Sequence, residues 1–540
     1  MRRYFYIGVL SYTTIVMVFF AAFVSTGFLL YYSSRKLQAF DFAKSAPFNK
    51  SAQFTYNTSR ILAPLVKPLL IITNTNTVIE RGLDIEKNTI NTIESAVILA
   101  EQIKSKKNVV KQIEKTSYQL SQLHESIPSS ITQLTSTKEE IKKALLLLDG
   151  LRIFYQNSDG EYLVFFLNDR ELRPGGGFIG SIGWLSLNNL EIDSLNVEDA
   201  YEIDGKLQTH HEPPYPVRTY LELPNWYLRD SNFSPDFVEN VRVAETFLED
   251  SIGKRSYKGS IGLTTHAVLG ILDTIGPVYV PDYKLTITKD NFYETTQRMV
   301  ERNFFPGSRQ KRNFLSSLTT AIRLKLEDQE LLQKKLLVSI IRSLDTKHII
   351  VSSKQKALHK TLATLGWTGE VAKPVFDYIY PVDANVGANK VNTYIKRKFQ
   401  SNITFTKTHV AHTFSIRYKN DSPIAPNPGE TYKNYLQIYL AKNADVSSVS
   451  VNGNPVEVQR NNLNQHKIVG LYLEVEPQKE SIISLTYKLP LSPNKQKKYQ
   501  LIVQKQIGST NNEYELKVKN NSYSLTTPLE KDFLFSFDIM

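Results

Sequence analysis

The sequence predicts a mixed α/β or α+β domain that follows a membrane-anchored helical region and precedes an immunoglobulin-like β-sandwich. Three patterns lead to this prediction: an uncharged N-terminal stretch, a central region that mixes apolar strands with helical segments, and a C-terminal run of short alternating strands. The 540 residues are also too many for one ordinary domain. The predicted anchor, helical stalk, α/β domain, connecting segment and β-sandwich cover residues 1–36, 37–150, 151–345, 346–400 and 401–540.

The N-terminal stretch has the properties of a membrane anchor. Residues 4–34 contain no charged side chain, and about 20 apolar residues suffice to cross a bilayer. A cleaved signal peptide is the alternative, but the apolar core is longer than such peptides have. We therefore expect an uncleaved single-pass anchor in the cell membrane, with a short cytoplasmic end and the bulk of the chain outside the cytoplasm.

Charge and composition limit the kinds of partner expected for the part of the chain outside the cytoplasm. The net charge of +12 favours an anionic partner. Outside the cytoplasm we expect no nucleic acid, which leaves lipid headgroups and anionic envelope polymers. The chain has no cysteine, so disulfides, thiolate metal sites and thiol nucleophiles are excluded.

The region after the anchor is predicted to be helical. Ile90, Ile93 and Val97 recur near helical spacing in residues 84–148, which indicates a membrane-proximal stalk or hairpin. Between residues 37 and 82 we expect Pro64 and Pro68 to break any long helix.

The central and C-terminal regions contain the strands. EYLVFFLN at residues 161–168 is a short apolar run typical of a buried strand, and FIGSIGWLSL follows as a second. Ser234 and Pro235 open a helical segment. From about residue 402 short strands follow one another, with Asn452-Gly453 as a hairpin turn, which indicates a β-sandwich.

A glycine run lies between the first two predicted strands. Residues 175–180 spell G-x-G-x-x-G, but a dinucleotide loop needs a helix immediately after the glycines and a strand follows instead. We expect no nucleotide cofactor. The run Gly175, Gly176 and Gly177 comes directly after Arg170 and Arg173, so it predicts either a backbone nest for a phosphate or a tight turn with solvated arginines.

Two further loops carry arginines. WYLRDSNFSPDF places Arg229 and Asp230 among aromatic residues, and RNFFPGSRQKR contains Arg309 and Arg312 without any acid. Three such loops in one domain could converge on a pyrophosphate. The alternative for each loop is an exposed or ion-paired arginine.

The segments ELRPGGGFIGS, WYLRDSNFSPDF, ILDTIGPVYVP and GWTGEVAKPVFDYIYPVDANVGANKVNTYIKR resemble the domain-of-unknown-function 4012 family of bacterial envelope proteins. The resemblance covers about residues 140–510. It implies a cell-envelope location but no particular activity.

A more distant similarity concerns LytR-CpsA-Psr phosphotransferases, which move glycopolymers from a polyprenyl-pyrophosphate carrier to the cell wall. That similarity implies a LytR-CpsA-Psr-like central domain with Arg173, Arg309 and Arg312 as phosphate ligands, a divalent metal such as Mg²⁺ and a catalytic carboxylate. Pro174 follows Arg173 where the family has its motif serine and metal-binding aspartate. Asp199, Asp230 and Asp236 are the candidates to replace that acid, with Asp230 and Asp236 as the predicted catalytic residues, and the metal ligands stay unknown.

Two functions follow from these observations. The first is an anchored phosphotransferase that uses Arg170, Arg173, Arg229, Arg309 and Arg312 to bind a polyprenyl-pyrophosphate-linked glycopolymer. The second is a non-catalytic envelope scaffold, or a glycan- or lipid-binding protein, that uses the same loops. The glycine loop and clustered arginines fit both functions, and the displaced metal-binding aspartate favours the second.

Overall fold

The computed structural model of the chain describes residues 2–301, 310–327, 329–424, 429–491, 498–519 and 523–538. It divides into two compact units, Met1–Ser158 and Asp159–Met540. Each unit is described by itself below, with helices and strands numbered in chain order.

The first unit is helical. Its helices are α1 (Arg2–Gln38), α2 (Phe42–Ile72), α3 (Asn76–Ser105), α4 (Val109–Ser126) and α5 (Thr135–Asn157), with a 3₁₀ turn at Thr132–Leu134. Within the described residues one helical segment, Ser11–Gln38, is long and apolar enough to cross a membrane, which is consistent with a single-pass anchor.

Helix α2 corrects one expectation. It continues through Pro47, Pro64 and Pro68, although a proline removes a backbone hydrogen bond from a helix. Val66 and Leu70 of α2 are buried together with Phe19 of α1. Apolar packing supplies most of the stability of helices in folded proteins, so the α1–α2 contact offsets the lost hydrogen bonds.

The second unit begins with an α/β part. Its elements are β1 (Gly160–Asn168), β2 (Phe178–Asn188), β3 (Glu191–Asp199), α6 (Ala200–Asp204), α7 (Tyr215–Tyr220), α8 (Phe237–Ile252), β4 (Gly259–Thr264), α9 (Thr265–Ile275), β5 (Val278–Val280), β6 (Leu285–Ile287), α10 (Phe292–Glu301), α11 (Gln310–Leu326), α12 (Glu330–Asp345), β7 (Ile349–Ser353) and α13 (Lys356–Thr364).

The five-stranded sheet of the α/β part positions the candidate site. Its strand order is β3-β2-β1-β4-β7, and only the β1–β4 pair is parallel. The apolar runs predicted as strands are β1 and β2, and Phe165 and Ile182 from them are buried with Phe237 and Phe247 of α8. Because β1 and β4 are parallel, the chain leaves both at the same edge of the sheet, where ligand sites commonly form.

The rest of the second unit is β-rich. Its strands are β8 (Asp377–Asn385), β9 (Ile395–Phe405), β10 (His409–Asn420), β11 (Tyr432–Ala441), β12 (Asp445–Val451), β13 (Asn454–Pro455), β14 (Gln459–Leu463), β15 (His466–Val475), β16 (Glu480–Pro490), β17 (Lys498–Val503), β18 (Asn512–Val518), β19 (Tyr523–Pro528) and β20 (Phe533–Asp538).

These strands form two sheets with a shared core. One has the order β13-β12-β16-β10-β9-β18-β19 and the other β14-β15-β11-β8-β17-β20. Phe414 of the first sheet and Leu436 of the second belong to one buried apolar cluster. The β-rich architecture was expected, whereas the immunoglobulin-like topology stays a prediction. Strand β8 is fully buried inside the second sheet, so the segment predicted as a connection contains a core strand.

Candidate functional site

The loop between β1 and β2, residues 169–177, holds the predicted arginines and glycines and is called the arginine–glycine loop below. Arg173 is 1% exposed and uses its guanidinium inside the protein. Its Nε lies 3.2 Å from Asp230 Oδ1 and its Nη2 lies 2.9 Å from Glu171 Oε1. Its Nη1 donates to the backbone carbonyl of Asn385 at 2.7 Å. A phosphate could reach Arg173 only if this network opened.

The charges around Arg173 stabilise its protonated form. Burial by itself would lower the pKa of the guanidinium, but the carboxylates of Asp230 and Glu171 outweigh burial and raise it. The network also joins the loop to the C-terminal sheets, because Asn385 ends strand β8 and Gln506 Nε2 donates to the carbonyl of Arg173 at 3.2 Å. Arg173 therefore holds two parts of the second unit together.

The glycine run forms a packed turn. Gly176 and Gly177 have φ angles of 111° and 148°, which residues with a Cβ rarely adopt. A Cβ on Gly177 would lie 2.5 Å from the backbone carbon of Asn168, and one on Gly175 would lie 2.9 Å from the carbonyl oxygen of Asn232. The Gly175 N–H donates to that same carbonyl at 3.0 Å. The glycines are thus required for close backbone approach within the fold.

The two predicted catalytic carboxylates also have internal partners. Asp230 is 2% exposed and accepts from Arg173. Asp236 caps helix α8 by accepting from the N–H groups of Val238 and Glu239 at 3.0 and 3.2 Å, and it accepts from Val371 N–H at 3.1 Å. Burial raises the pKa of Asp236. Both carboxylates are committed to neighbouring groups of the protein.

These carboxylates do not fit the predicted divalent metal. A Mg²⁺ site needs carboxylate oxygens that are free to meet the ion. Asp230 is occupied by a guanidinium, and both oxygens of Asp236 accept backbone N–H groups. Over the described part of the chain, no three His, Cys, Asp or Glu side chains are arranged to hold a metal ion. No metal-assisted step follows from this arrangement.

Arg229 and Arg170 are placed differently from Arg173. Arg229 lies 4.0 Å from the ring centre of Tyr227 and 4.9 Å from that of Tyr201, while its Nη1 donates to Asp204 at 2.8 Å. Arg170 lies 3.5 Å from the ring centre of Tyr293. Arginine on a tyrosine ring forms a cation–π contact through its face, so hydrogen bonds are donated from the guanidinium edge. In Arg229 part of that edge already donates to Asp204. We call Arg170, Arg229, Tyr201, Tyr227 and Tyr293 the tyrosine–arginine face.

Charged residues lie between the Arg170–Tyr293 pair and the group of Arg229, Tyr201 and Tyr227. Lys390 Nζ lies 5.9 Å from the ring centre of Tyr293, and its charge acts on the carboxyl of Glu171. The Glu171 charge in turn acts on Tyr201, whose side chain is 56% exposed. The tyrosine–arginine face therefore combines accessible aromatic surface with cations along the rim of the arginine–glycine loop.

The described residues do not test the two remaining predicted arginines. Arg309 lies outside the described residues. Arg312 belongs to helix α11, but its side chain is not among those described. The structure thus brings Arg173, Arg229 and Asp230 together from two separate loops, with Arg229 Nε 3.8 Å from Asp230 Oδ2.

A polar cluster that the sequence did not predict lies where β1 and β4 end. Asp169 follows β1, Thr264 ends β4, and the ring centres of His266 and His348 lie 4.2 Å apart. The His348 Nδ1 atom is 3.2 Å from Thr264 Oγ1 and 3.9 Å from Asp169 Oδ2. Burial raises the pKa of Asp169 to about 7. The available signal was a polar residue directly after each of two apolar strands.

Comparison with known proteins finds one family model that matches part of the chain, and it points to no activity. Residues 157–300 match the model of a family described as protein of unknown function, DUF4012. No curated protein matches the chain. The match, over about a quarter of the chain, does not bear on the similarity to LytR-CpsA-Psr phosphotransferases, which stays a prediction.

Several solved structures share limited similarity with the chain. A candidate nutrient binding protein from Legionella pneumophila is 12% identical over 27% of this chain and 54% of its own, with a TM-score of 0.21. An M1 zinc metallopeptidase from Deinococcus radiodurans is 15% identical over 23% and 32%, with a TM-score of 0.15. Leukotriene A4 hydrolase from Saccharomyces cerevisiae is 9% identical over 25% and 27%, with a TM-score of 0.16.

The chain spans about half the length of the first of these proteins and less of the others, and TM-scores this low support no conclusion about fold or function. The family match is more informative, because residues 157–300 contain strands β1 to β4, the arginine–glycine loop and the tyrosine–arginine face apart from Lys390 beside it. The candidate site therefore lies in the segment that matches DUF4012, a family of proteins of unknown function.

Proposed function

We propose that the chain is a membrane-anchored protein of the bacterial cell envelope that binds an anionic glycan through the tyrosine–arginine face and does not transfer phosphate. In this proposal α1 spans the cell membrane and the second unit lies outside the cytoplasm. The net charge of +12 agrees with an anionic partner.

One contrast carries the proposal. The residues that phosphate transfer would need, Arg173, Asp230 and Asp236, are already bonded to other groups of the protein. Arg170 instead rests on a tyrosine ring at the rim of the loop. Arg229 combines both arrangements, because it lies on the ring of Tyr227 while one of its nitrogens pairs with Asp204. Tyrosine rings offer flat amphipathic surface, and an arginine fork donates to carboxylate or phosphate groups. This combination suits a sugar polymer that carries acidic groups.

Binding should be measured with polymers of known composition. The full chain, in detergent, would be titrated with poly(glycerol phosphate), polygalacturonate and uncharged dextran of similar length. We expect both acidic polymers to bind, more weakly as salt rises, and dextran not to bind. The comparison of the two acidic polymers tells whether phosphate or carboxylate groups are preferred.

Two substitutions test the face itself. Arg170→Ala removes one cation, and Arg229→Lys keeps a charge beside Asp204 but loses the planar fork. The double variant Arg170→Ala, Arg229→Lys should have an affinity for the acidic polymer about tenfold or more below that of the wild type. This is the loss expected for removing one or two charge-assisted hydrogen bonds. The matched control is Lys442→Ala with Arg460→Lys, two exposed residues in the turn after β11 and on β14. Equal affinity of the test and control variants would refute the proposal.

The competing function has its own readout. Release of a glycopolymer from a polyprenyl-pyrophosphate carrier by the purified full chain, lost in Arg173→Met, would favour the phosphotransferase and refute the non-catalytic proposal.

A further inference from the structure

Beyond the tyrosine–arginine face, the second unit contains a buried group of titratable side chains between its α/β part and its C-terminal sheets. Lys347 and His348 precede strand β7, and Lys505 follows strand β17. All three are at most 5% exposed. Together with Asp169 and His266 they are called the Lys505 junction below.

The two lysines of the junction are held in different ways. Lys347 Nζ lies 2.6 and 2.8 Å from the two carboxylate oxygens of Asp532. Lys505 Nζ donates to the carbonyl oxygens of Thr346 and Gln506 at 2.8 and 3.1 Å. In the part of the chain that the structure describes, no carboxylate forms an ion pair with Lys505. A buried ammonium that meets only carbonyl groups is costly to keep charged.

The histidines and Asp169 complete the junction on its other side. His348 is buried beneath His266, whose ring reaches the surface, and both are close to Asp169. The carboxylate of Asp169 accepts from the His266 backbone N–H at 3.2 Å. The junction therefore holds three largely buried groups, Asp169, His348 and Lys505, together with His266 at the surface, and the charge of all four changes with pH.

Further charges face these groups from every neighbouring element. The charge of each of these residues shifts the pKa of at least one member of the junction. They are Arg170 after β1, Arg342 on α12, Arg397 on β9, and Glu530 and Asp532 before β20. Asp532 has 35% of its side chain exposed, and Arg342 and Glu530 are at the surface, so water weakens their influence.

The direction of each pKa shift follows from this setting. Burial, with the charges of Lys347 and Arg397, lowers the pKa of Lys505 from 10.5 to about 7. Burial and the charge of Lys505 lower the pKa of His348 well below its usual value, and burial also lowers that of His266. Burial raises the pKa of Asp169 to about 7.

These pKa shifts determine how easily the junction opens at each pH. When the junction opens, Lys505 regains its ordinary affinity for a proton, so opening becomes easier as pH falls from 10.5 to 7. The histidines make opening easier as pH falls below about 6.5. Asp169 acts in the opposite sense, since its protonated form is favoured in the closed junction below pH 7. Above pH 7 the pH dependence of opening therefore comes mainly from Lys505.

We propose that the Lys505 junction is a proton-controlled latch, which holds the turn before β7 against the segment after β17 tightly when Lys505 is neutral and loosens when Lys505 takes up a proton. One backbone hydrogen bond crosses the junction: the Gly508 N–H donates to the Lys347 carbonyl at 3.1 Å. Exchange of the Gly508 amide hydrogen therefore measures how often the junction opens. The latch does not depend on the proposed glycan binding.

Hydrogen–deuterium exchange of the full chain in detergent, corrected for the intrinsic exchange rate, tests the latch. The protection factor of the Gly508 amide should rise by more than about tenfold between pH 7 and pH 9. Ile438, in the middle of β11, is the internal control and should change little. A Gly508 protection factor that is the same at both pH values would overturn the proposal.

Two variants assign the effect to Lys505. In Lys505→Met the Gly508 protection factor should be high and should vary by less than about threefold over the same range. In Lys505→Arg the charge persists at both pH values, so protection should be low and equally flat. If Lys505→Met does not fold, Lys505→Arg alone decides. A pH dependence that survives in the folded variants would show that Lys505 is not the controlling group.

Discussion

The most informative substitution is Arg173→Met, which removes the guanidinium but keeps much of the side-chain volume. Arg173 is buried and pairs with Asp230 and Glu171, whose side chains are 3% and 11% exposed. Without Arg173 two buried carboxylates lose their counter-ion, and the Asn385 carbonyl loses its donor. Breaking a buried ion pair from one side costs about 3–5 kcal/mol.

The expected change in melting temperature follows from the size of the unit. With an unfolding entropy of about 2.1 cal/mol/K per residue, a loss of about 4 kcal/mol lowers the melting temperature of the Asp159–Met540 unit by roughly 5 °C. Trp184, Trp226 and Trp367 are the only tryptophans of the chain and all lie in this unit. Tryptophan fluorescence, excited at wavelengths where tyrosine does not absorb, therefore reports on the second unit alone during heating.

Two further variants make the test specific. The triple variant Arg173→Met, Glu171→Gln, Asp230→Asn removes the whole charge cluster and should recover most of the lost stability. Arg242→Met breaks an exposed ion pair with Glu239 and should lower the melting temperature by about 1 °C or less. A melting temperature of Arg173→Met equal to that of Arg242→Met would refute the structural role of Arg173.

Three other predictions concern the same part of the second unit. Gly177→Ala should destabilise it by about 2 kcal/mol or more because of its φ angle and the nearby Asn168 backbone, whereas Gly453→Ala, in an open turn, should cost only about 1 kcal/mol; urea unfolding compares them. Asp236→Ala should cost about 1–2 kcal/mol through loss of the α8 cap, by the same measurement, and no change would contradict the capping role. Burial raises the pKa of Asp204, the partner of Arg229, from 3.8 to about 6. The protonated carboxyl therefore stabilises the folded unit below pH 4, and this contribution is lost as pH rises to 6. Asp204→Asn should flatten that part of the curve of stability against pH, and an unchanged curve would contradict the prediction.

Local features of the fold could be predicted from the sequence. Asn452 and Gly453 both have positive φ angles between the paired strands β12 and β13, as the hairpin pattern indicated. Strand β2 follows the glycine run, as the alternating apolar residues predicted. The helix opened by Ser234 and Pro235 is α8, although its cap is Asp236, because the carboxylate of Asp236 reaches the first free N–H groups.

Predictions that depended on tertiary packing were less successful. Pro64 and Pro68 do not break α2, because its burial against α1 outweighs two lost hydrogen bonds. The sequence predicts a connecting segment at residues 346–400, which contains strand β8, and every residue of that strand is buried. Its sequence, DYIYPVDAN, contains a proline and two acids, and the buried partners that accommodate them come from distant strands.

The candidate site shows the same division. That Arg173 and Asp230 are close could not be derived from residues 57 apart, nor could the contact of Arg173 with Asn385, 212 residues away. Arginine and glycine predict a phosphate site because both residue types suit phosphate, yet Arg173 forms an internal ion pair once the fold supplies two carboxylates. Burial, which the sequence does not give, separates Arg173 from Arg170 and Arg229.

The central claim, that Arg173 holds the fold while the tyrosine–arginine face binds the glycan, is tested most directly by one titration. The charge-free variant Arg173→Met, Glu171→Gln, Asp230→Asn would be titrated with the acidic polymer that the wild type binds best, beside Arg170→Ala, Arg229→Lys. We predict that the charge-free variant binds within about threefold of the wild type, whereas the face variant binds about tenfold more weakly. A folded charge-free variant that no longer binds, beside a face variant that binds normally, would contradict the account.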